Sequence, residues 1–371
     1  MLSRKCKVVH VVNNLSPSST PIEWINNLDR NIFDIYVVSL LNKGWTSMNR
    51  SVKVRTTRAQ IRSDWRAYFD FYRIIKDIQP DIVHTHTNVS GFFGAVFGKI
   101  NRAKIVDSEH NDHKGFNKIG LFLNTLTMKI AKVIICNSRN TLNSFYRLEN
   151  LLIRNKQKNV IYNGVDVEWI DREYSNKDTA LQKWNLEHKF VIGNIGRLTE
   201  QKDQRTIILA IKNIIKMIPN LRLIIVGSGK LEKNLKDLVR KNDLSKYVCF
   251  TGLVNREEVY QLLHCFDVFV MSSLWEGFCN AVVEAMAAKI PVIITKVEPL
   301  PEVVGDVGIY VPPNNPQAVA NAILELKNSP QMAKEMGEVG RKRVLENFMI
   351  RKTVENYEEL YDQLLKEKKT D

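Results

Sequence analysis

The sequence predicts an α/β protein built from two doubly wound parallel sheets. Strand-length apolar runs alternate with helical patterns from Lys7 to Gly164, and a second alternation of the same kind runs from Lys189 to Thr295. The runs are rich in Val and Ile and lack an alternating polar face, which is the pattern of strands buried on both sides under crossover helices. A chain of 371 residues with 44% hydrophobic content is long enough for two such domains and too apolar for disorder.

In the first half the runs VVHVVNN, FDIYVVSL, DIVHTH, KIVDSE, VIICNS and NVIYNG are separated by helical patterns at 21–28, 59–78, 88–99, 118–131 and 139–148. Thr20-Pro21-Ile22-Glu23 reads as an N-cap, a proline at the first helical position and a capping-box glutamate, closing the glycine-free loop from Asn13 to Pro21. Over 58–78 the helical period places Arg58, Arg62, Arg66, Arg73 and Lys76 in one arc, with Ile61, Trp65, Tyr68, Tyr72 and Ile75 beside it. An ordinary solvated face and an anionic membrane contact both fit that stripe, and the apolar, basic segment Phe116–Lys132 fits either core or interface. His84, His86, His110 and His113 fall near predicted strand ends, where open parallel sheets bind ligands. No acid or cysteine spacing beside them suggests a metal site, so structural or solvent-facing roles are expected.

In the second half the runs KFVIGNI, LRLIIVG, YVCF, DVFVM and PVIIT alternate with helices expected at 203–217, 230–241, 255–264 and from Asn280, followed by helices near 315–327, 331–346 and 350–367. The stretch Ser272–Pro291 links two buried strands through a loop and a helix; Asn280 reads as its N-cap, with Glu284 in the first turn and Glu276 on the loop before it. A helix N-terminus suits a phosphate, whereas carboxylates suit hydroxyls, so this stretch offers a phosphate and a sugar or ribose separate partners. On spacing alone the two acids read as a solvated loop residue, Glu276, and a dipole partner, Glu284. Arg197, after Gly196 and before Leu198, and Lys202 five residues on, lie on a strand-to-helix loop where a fork and a point charge can grip a diphosphate. Val226-Gly227-Ser228-Gly229 matches neither rival phosphate motif, because Glu232 replaces the third glycine of a dinucleotide fingerprint and Leu231 the hydroxyl residue of a P-loop.

The net charge of +14 is uneven: residues 1–175 hold 26 Lys plus Arg against 15 acids, the remainder 28 against 25. The basic field therefore points to whatever the first half meets. Five scattered cysteines, three of them in strand-like runs, support neither a disulfide framework nor a zinc site. The chain opens into a strand without a cleavage pattern, and its longest uncharged stretch, Ile82–Gly98, is short for a membrane span. A cytoplasmic protein is expected, soluble or peripheral at the membrane face.

The run E-G-F-C-N-A-V-V-E-A-M-A from Glu276 resembles the Glu-x7-Glu signature of the retaining family 4 glycosyltransferases, and G-R-L with Lys202, V-G-x-G, T-G-L-V, S-E-H and N-G-V-D resemble further motifs of that family. The resemblance implies the GT-B fold: two Rossmann-like domains facing a cleft, here an acceptor-side domain over 1–172, a donor domain over 186–349 and a last helix, 350–371, returning to the first. It assigns the transferred sugar to Glu276 and His110, the ribose to Glu284, the diphosphate to Arg197, Lys202 and the backbone from Gly277 through Phe278, Cys279 and Asn280 to Ala281. Gly196, Gly227 and Leu253 then lie near the nucleotide. The implied activity is retaining transfer from a nucleotide-diphosphate sugar, with no cofactor and no catalytic metal, to a glycan or polyprenyl-linked acceptor in cell-surface polysaccharide or glycolipid synthesis. A sugar-nucleotide epimerase on a similar fold and a non-enzymatic polyanion binder are the alternatives. Nucleic acid is not an expected partner, because the phosphate-compatible elements converge on strand ends instead of lining a groove.

Overall fold

The computed structural model describes residues 4–15, 20–42, 51–61, 64–113 and 116–367. The chain divides into two compact units, one of residues 1–164 with 350–371 and one of residues 165–349.

In the first unit β1 (Cys6–Val12), β2 (Phe33–Ser39), β3 (Lys53–Thr56), β4 (Ile82–Thr85), β5 (Lys104–Glu109), β6 (Val133–Cys136) and β7 (Gln157–Val160) form one seven-stranded sheet in the order β3-β2-β1-β4-β5-β6-β7. All its pairings are parallel. The crossovers carry α1 (Thr20–Ile25), α2 (Arg66–Ile78), α3 (Asn88–Ile100), α4 (Lys118–Ile130), α5 (Arg139–Asn143) and α6 (Arg147–Leu152). Successive residues of β1 serve opposite faces: Val8 and Val12 join one core, Val9 and Val11 the other, the latter under Phe71 of α2, Ala95 of α3 and Met128 of α4.

The second unit opens with α7 (Val167–Arg172) and α8 (Lys177–Lys183), although the polar stretch 167–188 reads in the sequence as the linker between the domains. Asp166 caps α7 by accepting from Trp169 N, and Asp171 pairs with Arg341 at 2.6 Å, so this stretch is helical and tied to its own unit. Then follow β8 (Phe190–Ile195), α9 (Gln204–Ile214), β9 (Leu221–Val226), α10 (Glu232–Lys241), β10 (Val248–Gly252), α11 (Arg256–Leu263), β11 (Val268–Met271), α12 (Asn280–Ala287), β12 (Val292–Thr295), α13 (Leu300–Val304), β13 (Ile309–Val311), α14 (Pro316–Asn328) and α15 (Pro330–Asn347). The sheet runs β10-β9-β8-β11-β12-β13, again all parallel. Both sheets therefore reverse direction beside their first strand, at β1/β4 and at β8/β11, the switch points outside which ligands bind in such folds.

The last helix, α16 (Ile350–Lys366), belongs to the first unit. Its Val354, Tyr357, Leu360, Tyr361 and Leu364 complete the core on the Val8 side of the sheet, with Tyr357 stacked on Trp24 at 4.0 Å. Gly164 lets it pass, since a Cβ there would lie 2.5 Å from Ile350 Cα.

Two expectations change in the first unit. The helix expected from residue 59 begins at Arg66, after Asp64 accepts from Arg66 N. Arg58 is thus off the helix and bound to Asp70, and Arg62 lies outside the described residues, so the basic arc from Arg58 to Lys76 is not one helical stripe. The short strand β3 was not expected; its residues are exposed or half-buried at a sheet edge. Of the loop from Asn13 to Pro21, residues 16–19 lie outside the described residues.

Candidate active site

At the β8/β11 switch point two loops meet. Asn194 Nδ2 donates to Val270 O across the strands, Ser272 Oγ donates to the carbonyls of Lys202 and Asp203, and Leu274 N donates to Gln201 O. These ties bring Lys202 to Glu276: Nζ lies 2.5 Å from Oε1, and Ser273 Oγ donates to the same oxygen at 2.5 Å. The Lys202 side chain is 12% exposed and that of Glu276 5%. Burial alone would pull the Lys202 amine down, but Cys279 and Glu276 beside it outweigh burial and raise its pKa, so it stands as an ammonium. The Cys279 thiol, pushed up to about 12 by burial, is protonated at neutral pH, its sulfur 4.0 Å from Nζ. Arg197 is exposed at the rim, with Nη2 3.4 Å from Gln201 Oε1, so the two cations expected to share a diphosphate differ: one is fixed in an ion pair, the other faces solvent.

The helix that follows starts one residue earlier than expected. Asn280 is its first residue and Cys279 its cap, in the left-handed region at φ 75. Glu284 therefore sits in the second turn of α12, too far in for the helix terminus to hold it. Its partner is Arg256 at the start of α11, which hydrogen-bonds Glu284 Oε1. Arg256 went unnoticed in the sequence because its partner is 28 residues away; the only local signal is the Asn255 cap after T-G-L-V. Phe278 turns inward against Phe348, with ring centroids 5.5 Å apart, so its ring is core. Gly277 is buried, while Asn280 and Ala281 are half-buried at the helix mouth.

The glycines around this site allow backbones to touch. Gly196 N donates to Val226 O and Leu198 N to Ser228 O. A Cβ on Gly227, at φ +127, would lie 2.2 Å from Gly196 O, and one on Gly229 2.4 Å from Leu198 O. The V-G-S-G turn is thus the floor under the Arg197 loop. Leu253 is strongly exposed just beyond β10.

In the first unit the switch point gathers histidines, and of the two roles expected for them, structural or solvent-facing, the buried rings take the structural one. His84 is fully buried, with Nδ1 2.6 Å from Tyr361 Oη and Nε2 2.7 Å from Ser108 Oγ. His10, in register with His84 on the neighbouring strand and unremarked in the sequence, places Nδ1 3.1 Å from His86 Nε2; His86 Nδ1 in turn lies 3.2 Å from His110 Nε2. His110 thus ends a file of three hydrogen-bonded rings. Burial holds all of these imidazoles neutral, His110 at a pKa of about 4. Among the described residues His10, His84 and His86 are the group whose ligand atoms could converge on a metal, within 4.8 Å of one another. Hydrogen bonds already engage both nitrogens of His84, and no carboxylate in that group would balance a cation, so hydrogen bonding accounts for the cluster better than ligation does. His113 is different. It lies between Glu149 at 2.9 Å and Glu109 at 3.3 Å, and although burial opposes its charge, the two carboxylates lift its pKa to about 10.

Comparison with known proteins meets this geometry. The family model described as Glycosyltransferase Family 4 matches residues 5–169, and that described as Glycosyl transferases group 1 matches residues 176–343. The chain belongs to the family 4 glycosyltransferases. Its fold is the GT-B fold: the Anabaena protein HepE, solved with UDP and glucose, superposes with a TM-score of 0.80 at 20% identity, covering 96% of this chain and all of that one. An uncharacterized glycosyltransferase of Methanocaldococcus jannaschii is 31% identical over 244 residues, 61% of this chain, which thereby spans 58% of that relative's length. The Escherichia coli UDP-Gal:alpha-D-GlcNAc-diphosphoundecaprenol alpha-1,3-galactosyltransferase is 26% identical over 311 residues, 80% of this chain and 79% of the relative.

Proposed function

We propose that this family 4 protein is a retaining glycosyltransferase that moves a sugar from a nucleotide-diphosphate donor, held by the second unit, to a lipid-linked glycan in polysaccharide or glycolipid synthesis at the cytoplasmic membrane face. The observation that carries the donor half is the Lys202–Glu276 pair at the β8/β11 switch point, with Arg197 at its rim and Glu284 behind it. An ammonium has three donors; with one on Glu276 and a second turned to the Cys279 sulfur, Lys202 retains a third for a phosphate oxygen. Glu276 has its second oxygen for a sugar hydroxyl, and Glu284, oriented by Arg256, accepts from the ribose. As the glycosidic bond breaks, charge grows on the departing diphosphate, and cations fixed in advance stabilise that charge without reorganising. Lys202, Arg197 and the mouth of α12 supply this, so no metal ion is required. His110, kept neutral, accepts or donates a hydrogen bond to the sugar without adding charge. A nucleophile on the chain is not assigned, so retention is proposed through attack on the face the diphosphate leaves. The lipid-linked acceptor is supported by the excess positive charge of the first half and by what the Escherichia coli relative is named to act on.

The test is a thermal-shift screen of sugar nucleotides. A ligand at a hundred times its dissociation constant stabilises by about 2.7 kcal/mol. One donor should raise the unfolding temperature by several degrees in the wild type and not in Glu284→Ala; no shift with any nucleotide sugar would sink the proposal.

A further inference from the structure

Six large apolar side chains stand in solvent within one short part of the first unit: Ile119 and Phe122 on α4, and Tyr146, Leu148, Leu151 and Leu152 at α6. The four most exposed are Ile119 at 73%, Leu148 at 65%, Phe122 at 63% and Leu151 at 61%. Apolar side chains scattered singly need no explanation, but two packed helices presenting them together do.

The two helices are fastened from beneath by one carboxylate. Glu149 of α6 accepts from Thr125 Oγ1 of α4 at 3.1 Å, from Tyr146 N at 2.8 Å and from the His113 ring at 2.9 Å. Leu148, Leu151 and Leu152 flank this anchored residue and are held outward. Along the chain the surrounding charge is almost all of one sign, with Lys132 paired to a distant acid, Glu367 at 3.1 Å. Residues 116–158 contain eight Lys or Arg and a single acid, and that acid is the buried Glu149. Lys118, Arg147 and Arg154 are exposed among the apolar residues. The basic segment that leads into α2 is a weaker rival: residues 58–77 hold five basic residues against three acids, and Arg58 is already paired with Asp70.

We propose that α4 and α6 form a rigid platform that docks on an anionic lipid bilayer, the leucines and Phe122 entering the acyl boundary and the surrounding cations meeting headgroup phosphates. Among the described residues no helix is long and apolar enough to cross a membrane, so attachment through these helices would be by insertion of side chains. The platform also lies where an anchored acceptor is useful. Helix α4 follows β5, so its first turns, with Lys118, Ile119 and Phe122, are at the C-terminal end of the sheet, the end at which His110 stands. The inference rests on the proposed lipid-linked acceptor but names the surface that meets the lipid.

The experiment is co-sedimentation of the full chain with vesicles of phosphatidylcholine, with and without phosphatidylglycerol, across a salt series. The wild type should bind the anionic vesicles and weaken with salt. Leu148→Ser and Leu151→Ser should each weaken partition roughly tenfold, the loss of one buried leucine, at every salt concentration. Arg147→Glu and Arg154→Glu should weaken it roughly fivefold or more at low salt and little at high salt. Met217→Ser, an exposed apolar exchange in the second unit, is the control that should change nothing. Sugar-nucleotide binding is measured on the same preparations: retained donor binding with lost sedimentation supports the platform, and failure of donor binding in the wild type counts against the proposed activity alone. A Leu148→Trp variant gives an independent readout, because insertion shifts its fluorescence to the blue. Unchanged sedimentation of the leucine variants, loss through Trp65→Ser and Phe69→Ser instead, an unshifted Leu148→Trp spectrum in the bound fraction, or a dimer that the leucine variants dissolve would each overturn the proposal.

Discussion

Lys202→Met is expected to have two separable effects. The lysine and Glu276 are 12% and 5% exposed, so the exchange leaves a nearly buried carboxylate with only the Ser273 hydroxyl for company. Removing one partner of a buried pair costs about 3–5 kcal/mol, and the remaining serine bond argues for the lower end, about 3 kcal/mol. For a unit the size of 165–349 that corresponds to a fall in melting temperature of roughly 6–12 °C. Removing both charges, in Lys202→Met with Glu276→Gln, should restore most of the stability, because the desolvation of the pair opposes its attraction. Catalysis should not return with it. A fixed cation facing the leaving diphosphate is expected to contribute about 10²–10³ in kcat, and neither variant has it. Thermal unfolding and initial-rate kinetics on both variants make the measurement. A single variant as stable as the wild type, or a double variant that regains activity, would refute the assignment of this pair.

Other consequences can be checked in parallel. Arg256→Met should destabilise the second unit by about 3 kcal/mol, for it orphans the buried Glu284, and should raise the donor dissociation constant more than it lowers kcat; calorimetric titration with the donor distinguishes the two. The His113 pKa is raised above its unfolded value, so the stability it contributes is complete below pH about 6.5 and is lost as the pH rises toward about 10. Melting curves over that range should fall for the wild type and flatten for His113→Gln; parallel curves would contradict a charged His113. Nitrogen-15 spectra at pH near 6 should show His10, His84, His86 and His110 as neutral rings, and an imidazolium at any of them would break the reading of the buried file.

What could be read in the sequence was whatever repeats locally. Buried parallel strands announce themselves by unbroken Val and Ile runs, and the loop from Glu276 to Ala281 is contiguous, so the sheets and the loop before α12 were legible. Edge strand β3 was not, because KVRT, exposed and half charged, carries no burial signal. Helix α2 was drawn too long because Ile61 and Trp65 fit its period by chance while Asp64 sets its start. Helices α7 and α8 were taken for a linker on polarity, although Asp166 is a cap that the N-G-V-D motif displays. The pairs that make the site chemical were beyond reach: Lys202 with Glu276 is separated by 74 residues, His10 with His86 by 76, and His84 with Tyr361 by 277. His10 had one usable signal, a histidine set among the four valines of its strand, which must be paired somewhere.

The central claim is tested most directly by following the anomeric carbon. The donor found by the thermal screen is incubated with a lipid-linked glycan acceptor in the presence of a chelator, and the new linkage is read from its anomeric proton coupling. The account predicts transfer at an undiminished rate and a product with the donor's anomeric configuration, both lost in Lys202→Met. A product of inverted configuration, or activity that the chelator abolishes and a divalent ion restores, would contradict it.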